Sequence, residues 1–65
     1  MKKIFCERIY QKKEKFGWIE LKTDGLAYYV NLYVYGIRNS IESVKTSNYN
    51  YALHKFVIMK NKYSH

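Results

Sequence analysis

The chain is 65 residues long and 48% hydrophobic, carries a net charge of +7, and contains one cysteine and two histidines. That length makes a single domain over 1–65 with one small core, marginal without a staple. The composition excludes the common staples: Cys6 has no partner for an internal disulfide, and His54 and His65 stand at no metal-ligand spacing to it, so no metal or other cofactor is expected.

Residues 2–11, KKIFCERIYQ, read as a first strand with imperfect alternation. The basic start resembles the opening of a signal peptide, but Glu7 and Arg8 interrupt the apolar run, so secretion is not expected. No stretch of about 18 apolar residues follows anywhere, so no membrane partner is expected either. An unpaired cysteine suits a reducing cytoplasm. Residues 12–15, KKEK, read as a charged loop of three or four residues leading into the next strand.

Two strands, 16–23 and 26–35, flank Asp24-Gly25, a strong hairpin signal because Gly and Asp tolerate the positive φ that a tight turn demands. A two-residue loop there sets Leu21 against Tyr28, Ile19 against Val30 and Gly17 against Leu32. One face is then aliphatic, with Ile19, Leu21, Leu26, Val30, Leu32 and Val34. The other is aromatic and partly polar, with Phe16, Trp18, Tyr29, Tyr33 and Tyr35. A slip of one residue would mix the two sets.

Gly36 ends the third strand. Asn39 followed by Glu42 has the pattern of a capping box and predicts a helix within 40–56, with Ile41, Val44, Ala52 and Phe56 in a loose stripe. Thr46-Ser47-Asn48 is poor helix material. Over 49–60 the apolar spacing fits a helix and a strand about equally, which leaves open a short terminal strand near 55–60. Residues 61–65 read as a frayed tail. The expected fold is α+β: a two-layer domain with a three-stranded antiparallel meander and one helix, the alternative being a small all-β barrel. With the helix on the aliphatic face, the aromatic face is left for solvent, a ligand or a second copy.

No catalytic constellation stands out, and no enzyme is expected. Cys6 reads as a small buried apolar residue, and the five carboxylates are scattered. The stronger pattern is basic charge interleaved with aromatics. Exposed rings on a sheet stack nucleobases while lysines and arginines neutralise phosphates. The candidate ligand-binding residues are the rings Phe16, Trp18, Tyr29, Tyr33 and Tyr35 with the cations Lys12, Lys13, Lys15, Lys22 and Arg38. The same rings serve equally as a second core layer or as a homodimer interface. The segment Lys15-Phe16-Gly17-Trp18-Ile19-Glu20 resembles the basic-Gly-aromatic strand motif of cold-shock domains over six residues, without that motif's first glycine. The rest of the chain does not follow their five-stranded barrel. The expected layout is similar to that of the sheet-based DNA-binding domains of integrases and of truncated double-stranded-RNA-binding folds, a likeness of architecture alone.

The leading expectation is a small basic accessory protein, of the kind common in phages and mobile elements, that binds nucleic acid or a nucleotide. A protein-protein inhibitor or adaptor acting on a host or phage protein is the second reading, since Tyr and Trp anchor such interfaces. A metal-independent ribonuclease toxin using His54, Arg38 and the tyrosines is the third.

Overall fold

A computed structural model describes residues 1–64. Four strands, β1 (Lys2–Gln11), β2 (Glu14–Thr23), β3 (Tyr28–Val34) and β4 (Glu42–Thr46), precede one helix, α1 (Tyr49–Tyr63). The strands form one antiparallel sheet in the order β1-β2-β3-β4. The sheet is open, so the fold is α+β and not a barrel, with one strand more than expected.

The helix packs on the aliphatic face. Asn48 caps it, its side chain accepting from the Tyr51 N–H at 3.0 Å. Ala52, Phe56 and Met59 follow at helical spacing and are buried against Ile9, Ile19, Leu21, Val30 and Leu32. Each large side chain fully buried in this way contributes about 1.5–3 kcal/mol. Lys60 and Lys62 lie in the last turn, the favourable end of the helix dipole for cations.

The expected helix within 40–56 is thus displaced. Residues 42–46 are a strand instead, with Glu42, Val44 and Thr46 half-buried and Ser43 and Lys45 exposed. The period is two, and pairing with β3 satisfies backbone that a helix capped at Asn39 would have left at a bare sheet edge. Residues 55–60 are helical, not a strand. The helix also runs on through 61–63, where a tail was expected. Tyr63 is held there by three elements: its carbonyl accepts from Gln11 Nε2 at 2.8 Å, its hydroxyl donates to Glu42 at 2.7 Å, and its ring stacks on Phe16 at 6.0 Å. The hydrogen bond to Glu42 raises the Tyr63 phenol above its ordinary value.

The β2–β3 register differs from the expected one by two residues. Thr23 pairs with Tyr28 and Leu21 with Val30, leaving a four-residue loop, 24–27. Asp24 shapes that loop, because its Oδ1 accepts from the Leu26 and Ala27 N–H groups, both at 2.9 Å, while Thr23 Oγ1 donates to the Ala27 carbonyl. Leu26, expected on the aliphatic face, is 87% exposed in the loop. A shift of two does not by itself reverse any face.

Two bulges adjust β1 against β2. Ile4 is the extra residue between the pairs Lys3↔Lys22 and Phe5↔Leu21, and Phe16 the extra residue between Ile9↔Gly17 and Tyr10↔Lys15. Each bulge delivers one more apolar side chain to the helix side, where both pack on the core. The loop expected over 12–15 is shorter than its charges indicate. Glu14 and Lys15 belong to β2, and only Lys12 and Lys13 turn the chain. Both have positive φ, 52° and 68°. A side chain in that region costs about 1–2 kcal/mol.

Candidate functional site

The face of the sheet opposite α1 has no covering layer among the described residues. Alternation along the strands gives it Lys3, Cys6, Arg8 and Tyr10 from β1, Lys15, Trp18, Glu20 and Lys22 from β2, and Tyr29, Asn31 and Tyr33 from β3. Cys6, expected to be buried, is exposed, because its place opposite Glu20 puts it on the uncovered face. Ser43 and Lys45 join from β4. The face divides into two ends.

At the end that carries the Lys12–Lys13 turn, the rings gather. Trp18 stacks on its cross-strand partner Tyr33, with centroids 5.0 Å apart and planes 17° from parallel. Tyr35 leans against the indole at 5.2 Å and is 46% exposed. Arg8 pairs with Trp18 from the β1 side, and Tyr10 lies opposite Lys15. Gly17 underlies this arrangement: a Cβ there would sit 1.9 Å from the Tyr33 carbonyl oxygen, so only glycine lets β3 come so close. Arg38 stands in the β3–β4 loop at the same end, exposed. Among the described residues, no ion pair engages Arg8, Lys12, Lys13, Lys15 or Arg38.

At the far end the carboxylates are engaged by their neighbours. Glu20, only 6% exposed, takes Lys3 at 2.9 Å and Lys22 at 3.4 Å. The hydrogen bond that Lys3 donates to Glu20 raises its ammonium above the ordinary value. The Tyr29 hydroxyl donates to Asp24 Oδ2 at 2.8 Å, and Lys45 lies 5.6 Å from the centre of the Tyr29 ring. Backbone N–H groups of Ala27 and Leu26, and then the Tyr29 hydroxyl, hold the Asp24 carboxyl down at about 2, and the same bond pushes the Tyr29 phenol up.

The structure therefore brings together Trp18, Tyr33, Tyr35, Lys15 and the Lys12–Lys13 turn, with Arg38 nearby. It separates the others. Phe16 is not on the ring face: the bulge turns it to the helix side against Tyr63. Lys22 is occupied by Glu20, and Tyr29 sits at the far end. Arg8 and Tyr10 belong to the ring end without having been expected there. Their only sequence signal was their place on β1, and the Phe16 bulge hid which β2 residues they face.

A cavity of about 260 Å³ opens beside the turn, lined by Gln11, Lys12, Glu14, Lys15 and Phe16. No group of three or more His, Cys, Asp or Glu among the described residues is placed to hold a metal. Among the described residues, no helix is long and apolar enough to cross a membrane. His54 is exposed on α1, across the sheet from the rings. Comparison with protein-family models, with curated proteins and with solved structures finds no match to this chain.

Proposed function

We propose that this chain binds single-stranded nucleic acid on the open face of its sheet, at the end where Trp18, Tyr33 and Tyr35 lie among cations that have no carboxylate partner among the described residues. That juxtaposition carries the reading. Rings offer stacking to any base with an exposed π-face, about 1–3 kcal/mol per base, and Arg8, Lys15 and Arg38 are free to meet phosphates. A duplex would use the cations and leave the rings idle, because its bases are already stacked. A free nucleotide would need enclosure, and no layer covers this face among the described residues.

Trp18 is the only tryptophan, so its fluorescence reports directly on the site. Titration with a deoxythymidine 12-mer and its RNA counterpart at 50 mM salt is expected to quench it, with affinity falling steeply towards 200 mM. Tyr35→Ala, which removes an exposed ring, is expected to weaken binding by about 5- to 150-fold, the range of one lost base stack. Absence of quenching with both oligomers at low salt would sink the reading. So would a blue shift of Trp18 that grows with protein concentration and needs no ligand, since that marks a dimer through the same rings. Binding to a protein partner that barely changes with salt would favour the adaptor reading instead.

A further inference from the structure

We infer that the Lys12–Lys13 turn is a phosphate clamp at the edge of the ring-bearing face, gripping the backbone of the strand whose bases stack at Trp18. The inference rests on the single-strand reading above and adds a second element to it.

The turn is built from the wrong residues for its shape. A two-residue loop with positive φ at both positions favours Asn-Gly or Asp-Gly, which adopt it cheaply. Here both positions are lysine, at φ 52° and 68°. Packing does not explain the choice: both side chains are exposed, and neither makes an ion pair or a side-chain hydrogen bond among the described residues. Strained backbone that persists without a packing reason points to what the side chains do outside the fold. What these two supply is adjacent ammonium groups at the tip of the β1–β2 hairpin, next to Lys15 and on the same end of the sheet as Trp18 and Tyr35. The cavity beside them has Lys12 and Lys15 on its wall against a single carboxylate, Glu14. A strand stacked across the rings and leaving by this edge passes over the turn, and each lysine meets a phosphate as a mobile point charge.

The clamp separates stability from binding in opposite directions, which makes it testable. The double variant Lys12→Asn/Lys13→Gly restores the residues the turn favours while removing two charges. Its melting temperature is expected to rise, because the strain is relieved. Its affinity for the deoxythymidine 12-mer at 50 mM salt is expected to fall about tenfold or more. The slope of log affinity against log salt is expected to flatten by about 1.4, two phosphates at about 0.7 each for a single strand. A charge-matched control, Lys2→Gln/Lys55→Gln, alters one lysine at the far end of β1 and one on the helix, and is expected to leave the slope nearly unchanged. The clamp is overturned if the double variant keeps the slope of the unaltered chain, or if the control flattens it equally. A melting temperature that falls also counts against it, since the lysines would then be serving the fold. Absence of binding by the unaltered chain overturns the single-strand reading and the clamp together, which is distinct from a failure of the clamp alone.

Discussion

The two ends of the open face hold similar residues and differ in what those residues are already doing. At the far end, a carboxylate sits between two lysines and a tyrosine hydroxyl is spent on Asp24. At the turn end, Trp18 stacks with Tyr33 and Tyr35, and the cations around them make no ion pair among the described residues. Net charge therefore describes this surface poorly. What matters for an anionic partner is where charge remains unpartnered, and one buried glutamate is enough to make the difference between the ends.

The comparison can be broken at its foundation through Gly17. Gly17→Ala forces a methyl into the Tyr33 carbonyl, and the strands beneath the ring end must part. The expected cost is about 3 kcal/mol or more, at the upper end for overpacking. A chain of this length has roughly 3–10 kcal/mol in total, so urea denaturation should find the variant largely unfolded or close to it. A variant that melts with the unaltered chain would show that the close approach is not needed.

Glu20→Gln sharpens the comparison by making the far end resemble the other. Lys3 and Lys22 lose their carboxylate but are solvent-accessible enough to rehydrate, so the expected loss of stability is only about 1 kcal/mol. Oligonucleotide affinity is expected to rise several-fold with a steeper salt slope, read by Trp18 quenching. Unchanged affinity would mean that a bound strand does not reach this end.

The smallest effect is in pH. The Asp24 carboxyl is held at about 2 in the fold against an ordinary 3.8. A group depressed by folding contributes stability above its unfolded value and loses it as pH falls towards the folded one. The hairpin loop should therefore weaken between about pH 4 and pH 2, and Asp24→Asn should flatten that limb in an acid titration followed by amide NMR. An identical acid limb in the variant would assign it to other carboxylates.

Much of the fold was legible because its errors were even-numbered. The Asp24-Gly25 turn is two residues longer at its end than its signal implies, and a shift of two preserves both faces, so Trp18 and Tyr33 emerged on the open side as expected. Phe16 did not, because a bulge adds one residue and one residue reverses a face. Asn39 misled for a different reason. It precedes Glu42 at capping-box spacing, whereas Asn48, the residue that does cap a helix, has Tyr51 in that place. The local pattern favoured the wrong asparagine, and the exposed edge of β3 settled the matter by recruiting 42–46. The Lys12–Lys13 turn was hidden most completely, since nothing about two lysines advertises positive φ.

Tyr63 joins β1, β2 and β4 from the last turn of the helix, and this has a bearing on the order of synthesis. All four strands leave the ribosome before Phe56, Met59 and Tyr63 do. Until then the nascent sheet has a bare apolar face. Burial of that face waits for α1, and until it forms the chain is exposed to aggregation and proteolysis. Yield in cells should thus respond to changes at Tyr63 more sharply than the melting temperature of the finished protein does.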